Sequence, residues 1–576
     1  MTIMAPREKE TAAQALGSPN EAPGLPEPIP VAVHLRSPER RGAPERFRET
    51  DPPRGWDLAR HQRVARILHN RKLQFFLILP NQIIFWLVIT LGLLGTVVPG
   101  LNFGTAITWY IWFCLVFVMM VVVGRAWCAM CPFGGFAEWI QRRTFWQRTQ
   151  KALGLGRKLP EPIARYGLLL SVGTFIILTW IEEFFNIAGP GNPWDTSFMV
   201  LGIVASALIF FMVFERRTFC RYVCPLSALI GTVGAMGSAA GFRTRDRDVC
   251  LACQTKDCMR GSEEGYGCPW YTWPGSADSN LTCGLCTECY KSCPSDNIGF
   301  FVQKPLTSVV APKRRRADVA WAVALLWGLV IFQQVNATNI YTDVDNWLNA
   351  HTGVPNYPNP IDYFAIIGIV ALVFAGLAWM ISRAFVAGNQ SGPATANAPL
   401  GALAGQGPGA ALAKGATVAL ASGSAGSTGA VTLASPSKAS LHSFVDAKSR
   451  FRTIFVPLAY GLIPVVGADY FARQLPKFFK HASRIVPSIG AWFGHGSTHS
   501  SLYDLRLLSN PDIVLVQVLV IALGTVGSLW ATWRIAGRDM APATDHPTGV
   551  KLASLGVVLA FGFAAAFLYV IMHAAS

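Results

Sequence analysis

Residues 283–294 read Cys283-Gly-Leu-Cys286-Thr-Glu-Cys289-Tyr-Lys-Ser-Cys293-Pro294. Three thiols spaced by two residues share one tight loop. They can cap three irons of a four-iron, four-sulfur cubane while loop N–H groups point at its sulfurs. The proline after the fourth cysteine turns the chain away and sends that thiol to a second cluster. A chance spacing or a structural zinc is the competing reading.

A partner set lies upstream at Cys250, Cys253, Cys258 and Cys268-Pro269. Its spacings are stretched by insertions at 254–257 and 259–267. The longer insertion separates two cysteines that serve different clusters, where extra residues are tolerated. Crossed ligation gives Cys250, Cys253, Cys258 and Cys293 to one [4Fe-4S] cluster, and Cys268, Cys283, Cys286 and Cys289 to the other.

Further out stands a repeat. Gly124-Arg-Ala-Trp-Cys128-Ala-Met-Cys131-Pro132 follows one apolar run, and Arg217-Thr-Phe-Cys220-Arg-Tyr-Val-Cys224-Pro225 follows another. Both read basic residue, any residue, aromatic, cysteine, then a second cysteine followed by proline. The two-run units 75–132 and 165–225 therefore look like parallel repeats. Cys128, Cys131, Cys220 and Cys224 could hold a further cluster or metal, cycle as redox thiols, or be structural. Cys114 falls in the middle of an apolar run and reads as an inert core cysteine.

The rest of the chain is apolar. Of 576 residues 52% are hydrophobic and only 14% charged, well under the ~25% of soluble domains. A soluble single domain is excluded. Thirteen cysteines, dilute and clustered, exclude a secreted disulfide scaffold. Runs able to span a bilayer lie near 75–98, 105–123, 165–181, 196–214, 318–335, 361–382, 453–469, 513–533 and 550–572. The seventh is the weakest. The expected fold is a polytopic α-helical membrane protein of about nine spans with a ferredoxin-like two-cluster module.

Charge orients it. The net +16 would suit a nucleic-acid binder, but the basic residues flank the spans and form no domain of their own, so no nucleic acid is expected. The positive-inside rule puts 1–72, 124–164 and 215–317 in the cytoplasm. The expected divisions are a disordered Pro-rich basic tail (1–72), four spans (73–241), the cluster module (242–316) and two spans (317–386). A low-complexity linker (387–443) and a C-terminal membrane region of two or three spans (444–576) follow. Arg473, Lys477, Lys480 and Arg484 would then load an outer loop with positive charge, against the rule. An interfacial amphipathic helix over 471–482 or a re-entrant seventh segment would account for them.

Over roughly 75–385 these motifs resemble the membrane polyferredoxins of the NosR/NapH type. The Cys220/Cys224-Pro225 pair and Cys283–Pro294 match that pattern well. Cys128 and Cys131 stand one residue closer than the family's usual spacing, the flavin domain of NosR proteins is missing, and 453–572 has no clear counterpart. The resemblance implies electron transfer between a cytoplasmic donor or the quinone pool and a membrane or periplasmic reductase or oxidase. The alternative is an assembly or regulatory factor whose clusters sense redox state or reduce a metal. It also implies a bacterial inner membrane, with the N-terminus and module cytoplasmic.

Other cofactors find less support. No Cys-x-x-Cys precedes His, so haem c is not expected, and only His573 touches a predicted span. No NAD(P)H or ATP motif occurs. His495 and His499 could bind metal but read better as loop residues. Glu182 and Glu183 could accept quinol protons or simply fix orientation. An electron-transfer subunit is expected rather than a complete enzyme.

Overall fold

In the computed structural model the described residues are 55–147, 153–187, 194–312, 315–355, 357–386 and 447–575. The expected linker at 387–443 and most of the N-terminal tail lie outside them. Among the described residues, nine helices are long and apolar enough to cross a membrane. They are Leu73–Leu94, Phe103–Val123, Gly167–Phe184, Trp194–Val213, Ala317–Val335, Pro360–Phe385, Arg450–Trp492, Asn510–Ala543 and Pro547–Ile571. With no water in the hydrocarbon core, the backbone must satisfy its own hydrogen bonds, and helices do so within one segment. Pro80 stays inside the first helix, where the sequence leaves room for a kink or a later start. The second helix contains a π-helical stretch, Ala106–Trp112.

The seventh span is present as expected, and its place in the bundle is more central than its sequence suggests. Its sequence signal is the weakest, yet it forms the most buried helix of the nine, with 89% of its most apolar window enclosed. It packs against the second, fifth, sixth, eighth and ninth spans. Residues 471–482 do not form a separate interfacial helix. They continue one helix, Ala447–His481, with three prolines inside. The awkward basic residues find partners within the fold. Lys477 Nζ lies 3.9 Å from Glu182 and 5.2 Å from the Trp109 ring centre. The Arg484 guanidinium lies 4.2 Å from the Tyr503 ring centre. These charges serve tertiary structure, which a loop-charge count cannot register.

A small sheet, ordered β1-β3-β2, joins Trp56–Asp57 (β1), before the first span, to Ala239–Thr244 (β2) and Ile298–Val302 (β3), between the fourth and fifth, with all pairings antiparallel. The strands β2 and β3 bracket all eight cysteines of the expected module. The last part of the N-terminal stretch is structured rather than disordered. It supplies β1 and a helix, Gln62–His69, whose His69 ring packs edge-on against Tyr290 at 4.7 Å. Asp57 also accepts a hydrogen bond from Arg245 at 2.8 Å.

Candidate metal centres

The two Cys-Pro repeats fold alike. Cys131 immediately precedes the helix Pro132–Arg142, and Cys224 immediately precedes Pro225–Gly234. Proline suits the first helical position because its missing N–H would have had no partner there. The cysteine before it is left facing free N–H groups at the positive end of the helix. Phe133 and Gly134 N–H groups point at Cys131, and that of Leu226 points at Cys224. The unequal spacings are reconciled by local geometry. Cys128 sits in one short helical turn, Trp127–Met130, whereas Cys220 sits in a π-helical turn, Phe219–Val223. The wider π turn absorbs the extra residue, with Cys224 N–H donating to Phe219 O at 2.8 Å.

All four of these thiols line one cavity of about 390 Å³ between the first four spans. Its other walls include Phe85, Trp112, Phe175 and Trp270, with Glu182 toward the far end of the third span. Burial first, then the neighbouring thiols, pushes Cys224 up to about 12. Burial likewise pushes Cys131 up to about 11 and raises Cys220 well above the ordinary range. Thiols raised this far do not ionise unaided near neutral pH. They become thiolates when a positively charged centre replaces their protons.

Two buried arginines stand at equivalent places, three residues before the first cysteine of each pair. Arg217 is 1% exposed. It binds Glu138 through two nitrogens, one at 3.0 Å, and donates to Cys128 O at 3.0 Å. Glu138 is also paired with Arg142. Burial acts to raise Glu138, but the Arg142 and Arg217 guanidiniums outweigh it and hold the carboxyl below its usual range. Arg125 donates to Cys128 Sγ at 3.4 Å, to Ser227 Oγ at 2.5 Å and to Leu281 O at 2.6 Å. Leu281 lies two residues before Cys283, so Arg125 ties the cavity to the cysteine loop.

In the module, the charges that raise Cys258 come from Cys250, Cys293, Cys253 and Cys268. Those that raise Cys289 come from Cys268, Cys286, Cys283 and Cys258. Burial and then these neighbours push Cys258 up to about 12. Cys253 behaves differently. The Lys256 N–H, donated from a left-handed backbone (φ 51°), lowers it. Leu285 and Thr287, on either side of Cys286, are left-handed as well. Such bends turn successive N–H groups inward and make an anion-binding nest. Gly241 (φ +90°) lies at a register shift in β2, and a Cβ there would stand 2.9 Å from Cys283 Sγ.

The donor sets fit four-iron clusters in number and chemistry. Among the described residues no three Cys, His, Asp or Glu side chains form a group placed to hold a metal ion. The Cys268/Cys286 side of the module belongs to the same apolar core as Trp127, Cys128, Phe219 and Cys220. Cys258 and Cys289 pack instead with Phe242, Tyr290 and Ile298.

The remaining candidates separate from these sets. His495 and His499 are exposed on a loop. Cys114 is buried in the second span. His481, outside every expected span, lies within the long seventh one, its ring 5.1 Å from Tyr110. What the sequence reading missed are Arg125, Arg217 and Glu138. The shared basic–x–aromatic–Cys pattern was the available signal for the two arginines.

The family described as "4Fe-4S binding domain" matches residues 105–154 and again 196–242. Each match falls on one Cys-Pro repeat. The ferredoxin-type protein NapH of Escherichia coli is 27% identical over 180 residues, covering 29% of this chain and 58% of NapH. An uncharacterized protein of Methanocaldococcus jannaschii is 24% identical over 197 residues, covering 32% of this chain and 76% of that protein. No solved structure matches. The duplicated family match and the similarity to NapH support a NapH/NosR-like polyferredoxin, and the apolar helices suit a multi-pass membrane protein.

Proposed function

We propose that this chain is a three-centre electron relay of a bacterial inner membrane. Cys250, Cys253, Cys258 and Cys293 hold one [4Fe-4S] cluster of a cytoplasmic module. Cys268, Cys283, Cys286 and Cys289 hold the second. Cys128, Cys131, Cys220 and Cys224 hold a third iron–sulfur centre at the membrane edge. The observation that carries this reading is the four-thiol cavity, which opens toward the spans on one side and meets the module on the other. Bound clusters supply one-electron redox chemistry. The protein's own residues set their surroundings: Arg125 and Arg217 balance thiolate charge, the nests donate N–H groups, and the apolar walls exclude water. Electrons pass between a soluble donor or quinol and a membrane or periplasmic reductase or oxidase. The apolar cavity lined by Glu182 supports a quinone as the membrane-side carrier.

Anaerobically purified protein should carry about twelve iron atoms per chain, four per cubane. Quinol or a reduced soluble carrier should bleach the clusters on the timescale of turnover. About eight iron atoms, unchanged by Cys224→Ser, would remove the third centre. Equilibration only over many minutes, with cofactor insertion lost in a partner enzyme on deletion, would replace the relay with the assembly reading.

A further inference from the structure

Trp270 joins the two halves of the site. It follows Cys268-Pro269 directly and is 2% exposed. One edge of its indole lies on the cysteine loop, since a Cβ at Gly284 would fall 2.1 Å from Trp270 Nε1 and 2.3 Å from Cε2. Only a residue with no side chain, between Cys283 and Cys286, admits that contact. The same ring also forms part of the wall of the four-thiol cavity. Arg125 fixes its plane, with the guanidinium 4.4 Å from the ring centre while Nε reaches Cys128 Sγ. Packing alone does not call for an indole here. Its N–H is buried with no hydrogen-bond partner, an unfavourable arrangement that phenylalanine would avoid.

We infer that Trp270 is the electron bridge between the Cys268/Cys283/Cys286/Cys289 centre and the four-thiol centre, with Arg125 as its positioning residue. One electron leaves the reduced module centre and arrives at the oxidised membrane-edge centre. The ring provides a bonded and van der Waals route and is not itself oxidised. No proton moves and no bond breaks. This inference rests on the three-centre reading above.

The test uses full-length holoprotein. Flash photoreduction by a deazaflavin delivers electrons to the module. Freeze-quench electron paramagnetic resonance then follows the signal of the membrane-edge centre, identified by its absence in Cys224→Ser. Trp270→Leu and Trp270→Met should keep iron content and both signals but slow the arrival of that signal several-fold. Trp270→Phe should stay near the wild-type rate. Fully loaded Trp270→Leu transferring at the wild-type rate overturns the bridge. So does equal iron loss in the Leu, Met and Phe variants, which would make the ring mere packing. A wild-type protein with no iron at the four thiols fails the underlying reading instead, before any variant is compared.

Discussion

The module and the membrane-edge site gather the same number of thiols per centre by opposite means. The module takes its eight cysteines from one 44-residue stretch, 250–293. It shapes them with left-handed residues at Lys256, Leu285 and Thr287. The membrane-edge site takes two cysteines from each of two distant repeats, and helices bring them together. Its thiols face helix N-termini and two buried arginines, whereas the module bends its own loops inward through left-handed residues. A local loop can be re-formed around metal on its own. A site shared between helices is only as well placed as the contacts that hold those helices.

The contrast can be broken most sharply at the ligands. Cys286→Ala should remove about half of the module's iron and much of the module's fold, since metal binding supplies folding free energy. Cys224→Ser should leave module iron in place and lower only the remainder. Iron analysis of both variants decides it, and Cys224→Ser emptying the module would mean that the two regions are one unit.

Next in size is Arg217→Met. It strands Glu138 between one remaining cation and an apolar wall, which typically costs about 3–5 kcal/mol. The melting temperature should fall, with iron lost first from the four-thiol centre. Arg217→Met,Glu138→Gln should recover part of the loss, and no recovery would show that the pair acts through something other than charge.

A smaller effect is expected from pH. Cys131 and Cys224 are pushed up to about 11 and about 12, so below those values each iron–thiolate bond must displace a proton. Iron uptake by apoprotein at the four-thiol cavity should therefore accelerate between about pH 7 and 9. Cys253, held low by the Lys256 N–H, gives the module's outer set one thiol that ionises earlier. Alkylation of apoprotein should reach Cys253 first, and mass mapping that finds Cys224 first would contradict the assignment.

The smallest change is Ser171→Ala. Ser171 donates to Cys224 O at 2.6 Å and accepts from Ala228 N at 3.0 Å. Its loss should cost about 1 kcal/mol and shift the melting temperature slightly without removing iron. A comparable loss of module iron would again erase the distinction.

How much of this was legible in the sequence follows the same division. The clustered cysteines could be read because they are written within one short stretch of chain, 250–293. Most spans could be read because apolar length alone defines them. The π turn at Phe219–Val223 could not, since it depends on bringing Cys220 and Cys224 into register with a pair 92 positions earlier. Glu138 could not either, because its role appears only when Arg217 arrives from the turn after the fourth span. The central position of the seventh span was hidden for a related reason. Asp469, Arg473 and Lys477 weaken its apolar signal, yet they lie inside the protein, where Asp469 accepts hydrogen bonds from Gln334 and Tyr569.

That seventh helix also sets an order of events during synthesis. It is the central post of the bundle, and the ribosome makes it after six other spans have already emerged. Until residues 450–492 enter the bilayer, Gln334 has no Asp469 to meet and Glu182 has no Lys477. The early spans must wait as a loose assembly, with polar side chains facing lipid or one another.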